Sequence, residues 1–253
     1  MKKESSGAGK SKRIAGLIPF LILIAFLAFF QIKVLTSYQQ DTGVTSQVIK
    51  QVKDIEKDTS GKDYEVIRPK EIEKAKAAVI FYPGGWVDPQ AYESLMYELA
   101  DRGLCCILLK SPGNLAFLRT DQADEVRDLY PQIKDWYVGG HSLGGAAAGF
   151  YLPGKEDRYK GVILLASYVT RDLSGSDLKL LSVYGSNDGV LNRDSYEKYK
   201  KNWPKDSKEL VIEGGIHSYF GSYGIQKKDG VPEISNISQL RQTADAVEDF
   251  AAN

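Results

Sequence analysis

From Tyr64 onward the chain alternates short, almost continuously apolar runs with stretches whose apolar residues fall at helical spacing. Tyr64–Arg68, Ala77–Tyr82, Leu104–Leu109, Trp136–Gly139, Val162–Ala166, Leu180–Tyr184 and Leu210–Ile212 read as strands. Pro89–Arg102, Asp121–Ile133, Leu143–Leu152, Asp194–Asn202 and Ile237–Ala252 read as helices. In Pro89–Arg102 the apolar residues Tyr92, Leu95, Met96 and Leu99 recur at helical spacing, and Gly103 supplies the stop. Strands that are apolar on both faces must be covered on both, and strands separated by helices run parallel. The alternation therefore predicts an α/β fold, a mostly parallel sheet with helices on both faces, forming one domain over residues 63–253.

Composition excludes several other classes. Hydrophobic residues at 43% and charged residues at 26% are ordinary globular values, which rules out global disorder. Lys+Arg and Asp+Glu each number 33, so no basic excess points to nucleic acid. Two Cys cannot build a disulfide framework, and two Cys with two His are too few for a zinc site. Cys105 and Cys106 are neighbours in one expected strand, so they face opposite sides and read as small core residues.

The charge is unevenly placed. Residues 1–13 hold Lys2, Lys3, Lys10, Lys12 and Arg13 against Glu4, and residues 14–30 follow without a charge. A helix over residues 14–35 is long enough to reach across a hydrocarbon core of about 30 Å. A cleaved signal peptide has a shorter apolar region and a small-x-small cleavage site. Residues 31–40 offer no such site, so a transmembrane anchor is expected, with residues 1–13 cytoplasmic and the rest extracellular. If the segment is cleaved, the protein is secreted. Residues 36–62 are polar and read as a stalk, with a weak amphipathic helix over Val44–Lys57.

The sharpest chemical signal is Gly140-His-Ser-Leu-Gly144, followed by Gly145. It fits G-x-S-x-G, a nucleophile elbow, and its setting between an expected strand and a small-residue helix is the one such an elbow needs. A serine hydroxyl is a weak nucleophile until a base removes its proton. His141 is locked inside the elbow and points away from Ser142, so by elimination His217 is the candidate base. The acid that orients the imidazole falls between serine and histidine in this chain order. Asp188, in Gly-Ser-Asn-Asp-Gly just after an expected strand, is the candidate, with Asp172 and Asp177 as weaker ones. A developing oxyanion needs preorganised N–H groups, for which Leu143 and Gly85 are candidates, with Trp86 second.

The segments Phe81–Tyr92, Lys110–Phe117, Gly139–Gly145 and Gly214–Gly224 together resemble the α/β-hydrolase superfamily. They look most like the bacterial alpha/beta hydrolase fold-5 group, similar in style to dienelactone hydrolases and minimal esterases. The resemblance runs from about Tyr64 to the C-terminus and implies Ser142 as nucleophile, Asp188 as acid and His217 as base. Residues 167–179 are too few for a helical lid, so an open site is expected; the longer loop 221–235 is placed to shape one wall.

The expected function is hydrolysis of a small-molecule or lipid-like carboxylic ester by a serine hydrolase, without a metal or organic cofactor. The alternatives are acyl transfer on the same residues, or a non-catalytic binding module. No obligate protein partner is implied.

Overall fold

The computed structural model describes residues 7–252, with side chains from Pro19 onward except that of Phe20. It divides into two compact units, one ending at Ser37 and one beginning at Tyr38. The first is helix α1 (Gly7–Leu35). Its exit is closed by hydroxyls that satisfy late carbonyls, Thr36 Oγ1 donating to Ile32 O at 2.8 Å and Ser37 Oγ to Val34 O at 2.9 Å. The side chains of Leu21, Ile22, Leu23, Phe26, Leu27 and Phe29 are exposed. Among the described residues no helix is long and apolar enough to cross a membrane. The expected span over residues 14–35 begins on side chains, 14–18 and 20, that lie outside the described residues.

The second unit is built on an eight-stranded sheet. Its strands are β1 (Ile55–Asp58), β2 (Tyr64–Pro69), β3 (Ala77–Tyr82), β4 (Leu104–Leu109), β5 (Trp136–His141), β6 (Gly161–Leu165), β7 (Lys179–Gly185) and β8 (Asp206–Ile212). Their spatial order is β1-β2-β4-β3-β5-β6-β7-β8. β1 and β2 run antiparallel to their neighbours, and the other pairings are parallel.

The helices are α2 (Thr42–Ile49), α3 (Glu93–Asp101), α4 (Gln122–Arg127), α5 (Leu143–Tyr151), α6 (Arg193–Tyr199) and α7 (Asn236–Ala252). The strand pleat sends alternate residues to two separate cores. Val79, Phe81 and Cys106 join the core that holds Leu95 and Met96 of α3 and Leu240 and Val247 of α7. Ala78, Ile80, Tyr82 and Cys105 join the core that holds Ala123 of α4 and Ala147 of α5. Burial pushes the Cys105 thiol up to about 12, so both cysteines behave as small core residues.

Residues 38–62 are not a stalk. Tyr38 bridges to Val87, and Asp41 caps α2 by accepting from the N–H groups of Gly43 and Val44. Val48 is fully buried in the core, Val44 packs against it, and β1 adds an edge strand by pairing with β2. Apolar residues four apart give even this polar segment one face to bury.

Two helices are shorter than their sequence pattern. The first turn of Pro89–Arg102 is a 3-10 turn over Pro89–Tyr92, and α3 starts at Glu93. α4 stops at Arg127, short of Pro131, whose ring disfavours helix at the residue before it. β8 is longer than expected because, as the last strand in the sheet order, it carries exposed polar residues such as Asp206 and Glu209.

Candidate active site

The parallel strands deliver their carboxyl ends to one edge of the sheet, where loops carry side chains. Ser142 stands alone between β5 and α5, at φ 53° and ψ −120°. Such a backbone costs a non-glycine residue on the order of 1–3 kcal/mol and persists only where its surroundings enforce it. Here Ser142 N–H donates to Leu165 O at 2.8 Å, and Ser167 Oγ donates to Ser142 O at 2.7 Å. The glycines are steric necessities: a Cβ on Gly140 would lie 2.4 Å from Tyr82 O, and one on Gly144 would lie 2.1 Å from it. Ser142 stays partly exposed.

Asp188 follows β7 and His217 follows β8, and their side chains meet in a buried pair at 2.9 Å between Oδ2 and Nδ1. The other oxygen, Oδ1, accepts from the N–H groups of Val190 and Leu191, both at 2.8 Å. Burial pushes the Asp188 carboxyl up. The His217 hydrogen bond and charge and these two N–H groups outweigh it and hold the group below the usual aspartate value. Asp188 is therefore ionised, and His217 Nδ1–H is the donor of the pair. The His217 ring lies 4.5 Å from that of His141, the residue before Ser142, which sets the imidazole beside the elbow.

His141 is buried and turned away, its Nδ1 at 2.7 Å from the Tyr92 hydroxyl. That hydroxyl also accepts from Gly84 N–H at 3.0 Å, so Tyr92 ties the loop after β3 to the elbow. Burial, then the charge of His217, pushes His141 well below the ordinary histidine value.

The loop after β3 corrects one expectation. Trp86 N–H is already committed to Asn114 O at 3.0 Å, so Trp86 is not an oxyanion donor. The N–H groups of Gly85 and Leu143 have no hydrogen-bond partner among the described residues. The two residues adjoin: a Cβ on Gly85 would lie 2.7 Å from Leu143 Cδ2 and 3.6 Å from Leu115 Cδ2. Leu143, Phe117 and Phe150 add exposed apolar surface, with the two phenylalanine rings 5.8 Å apart.

Asp172 and Asp177 are elsewhere. They line a polar cleft with Lys160 and Lys179, at the amino ends of β6 and β7, the opposite edge of the sheet. Residues missed by sequence reasoning include Tyr92, Ser167 and Asp229; Asp229 accepts from the N–H groups of His217 and Ser218. Their roles depend on tertiary contacts that no local motif announces. Among the described residues, 166–178 hold no helix or strand, so this segment forms no helical lid. Among the described residues no group of three or more His, Cys, Asp or Glu could hold a metal ion. An ionised Asp–His pair beside a strained, partly exposed serine and two unpaired N–H groups is an arrangement that can transfer an acyl group to a serine.

Residues 78–242 match the model of a family described as the alpha/beta hydrolase family. No curated protein matches the chain.

Proposed function

The chain belongs to the alpha/beta hydrolase family, which supports a hydrolase, and from that premise we propose a serine hydrolase acting on carboxylic esters through an acyl-enzyme. The observation that carries this reading is the buried 2.9 Å Asp188–His217 pair, whose imidazole lies 4.5 Å from the ring of His141, the residue before Ser142. In this reading Ser142 Oγ attacks the carbonyl carbon. His217 takes the hydroxyl proton and gives it to the leaving alcohol. Asp188, ionised, stabilises the imidazolium. Gly85 and Leu143 N–H groups hold the oxyanion. Water, deprotonated by His217, then cleaves the acyl-enzyme and frees Ser142.

The open, apolar surroundings of Leu143, Phe117 and Phe150 favour a small-molecule or lipid-like ester. The basic residues 1–13 and the uncharged run over residues 14–30 support a membrane anchor with the hydrolase unit outside the cell.

A fluorophosphonate probe tests the reaction. Covalent labelling at Ser142, abolished together with ester turnover in Ser142→Ala, is expected. Labelling at another serine, with full activity in the alanine variant, refutes the assignment.

A further inference from the structure

Asp229 sits in the long loop between His217 and α7. Its carboxylate accepts hydrogen bonds from both loops of the Asp188–His217 pair. Oδ1 takes the N–H groups of His217 at 3.1 Å, Gly189 at 3.3 Å and its neighbour Gly230 at 2.8 Å. Oδ2 takes Ser218 N–H at 2.7 Å and the Ser218 hydroxyl. Gly189 is the residue after Asp188, and Ser218 the residue after His217.

All five partners donate. An ionised carboxylate, which only accepts, satisfies them all; an amide turns at least one donor against another. The Ser218 hydroxyl oxygen also accepts from Gln226 N–H at 3.2 Å, so its proton is left for Asp229.

The two loops are also pressed together. A Cβ on Gly189 would lie 2.5 Å from Lys228 O, and one on Gly230 would lie 1.7 Å from Asn187 O. Asn187 Nδ2 donates to Val231 O at 3.0 Å. The backbone beside the acid is thus fitted against the segment that carries Asp229.

We propose that Asp229 is a positioning residue that fixes the acid-bearing and base-bearing loops relative to each other, and so sets the Asp188–His217 hydrogen bond. It touches the main chain of His217 and acts through it, not on the substrate. The proposal rests on reading Asp188 and His217 as acid and base. Its first test reads their hydrogen bond directly and does not depend on that reading.

The test uses proton NMR of the full chain. The downfield His217 Nδ1–H resonance is assigned by its loss in His217→Gln. Asp229→Asn is expected to shift or broaden it. Ser218→Ala, which removes one donor and leaves every main-chain donor in place, is expected to move it less. It serves as the reading if Asp229→Asn does not fold.

The second measurement is the rate at which fluorophosphonate labels Ser142. A loss of up to about 100-fold is expected in Asp229→Asn, the scale for misplacing a reacting group by about an ångström. KM for an ester should stay near that of the unaltered protein while kcat falls. A resonance unmoved in every folded variant overturns the proposal, as does an unchanged labelling rate. If the unaltered protein is not labelled at Ser142, the serine-hydrolase reading fails while the NMR result still decides the role of Asp229.

Discussion

The imidazole rings of His141 and His217 lie 4.5 Å apart, and their Nδ1 atoms have different partners: the Tyr92 hydroxyl at 2.7 Å and the Asp188 carboxylate at 2.9 Å. A carboxylate favours a cation on its ring. A phenol does not, and burial disfavours one further. His141 is therefore neutral, and its Nδ1 accepts the Tyr92 proton, because that hydroxyl already accepts from Gly84 N–H. In the proposed reaction, a charged His141 would repel the positive charge that His217 gathers.

This neutrality gives stability a pH dependence. In the unfolded chain His141 titrates near the ordinary histidine value, about 6.5, whereas in the fold it titrates well below. As pH falls below about 6.5 the unfolded state binds a proton that the native state refuses, so stability falls by about 1.4 kcal/mol per pH unit from this group. Above about 6.5 both states are neutral there and the contribution is flat. Denaturant unfolding between pH 6.5 and 5 should show a slope shallower by that amount in His141→Asn than in the unaltered protein. Equal slopes would mean that His141 takes up a proton in the native state.

Asp188→Asn should keep the fold and lose turnover. The amide can still accept from Val190 and Leu191, but its NH2 would face the Nδ1–H of His217 and favour the wrong tautomer. A loss of about 10⁴-fold in kcat is expected, as in other triads. Steady-state kinetics on a chromogenic ester, with a thermal melt as the folding control, measures it. Near-normal turnover would remove Asp188 from the mechanism.

Much of this was legible because some residues are constrained locally. β3 and β4 occupy the residues their continuous apolar runs mark. Ser142 is marked by glycines that leave room for the β3 backbone, and with two histidines in the chain His217 followed by elimination. What was not legible depends on distant partners. The fate of Trp86 N–H turns on Asn114 O, 28 positions away, and Asp229 reads locally as an Asp-Gly turn. The segment 38–62 looked like a stalk because its buried residues, Thr45 and Val48 among them, are scattered through polar sequence.

Two glycines, Gly144 at the start of α5 and Gly85 in the loop after β3, should respond differently to alanine. In Gly144→Ala the new methyl meets backbone, 2.1 Å from Tyr82 O and 2.4 Å from Pro83 O. Rigid overpacking of this kind costs on the order of 1–3 kcal/mol, so the melting temperature should drop by roughly 2–4 °C for each kcal/mol. In Gly85→Ala the methyl meets Leu143 Cδ2 at 2.7 Å, the end of a partly exposed side chain that can turn away. Its melting temperature should hold while turnover falls, because the methyl intrudes between Gly85 and Leu143, which carry the proposed oxyanion donors. If Gly85→Ala keeps full turnover, the oxyanion does not sit there.

The buried cysteines allow the proposed topology to be tested by a single introduced thiol. Cys105 and Cys106 are fully buried, and burial raises both thiols far above the range in which they react at neutral pH. A membrane-impermeant maleimide should therefore ignore the unaltered folded protein. Lys201 is exposed and lies in the hydrolase unit, so Lys201→Cys supplies a reactive site there. Ser11→Cys supplies one in the basic segment before the apolar run. With the basic segment held in the cytoplasm by its charge, intact cells should label at Cys introduced for Lys201 and not at the one introduced for Ser11, which should react after permeabilisation. The reverse pattern means the opposite orientation. Labelled protein recovered from the medium with a new N-terminus near residue 36 means cleavage and secretion. Lys201 is exposed and lies beyond the end of α6, so ester turnover of Lys201→Cys should match that of the unaltered protein and serves as the control for folding.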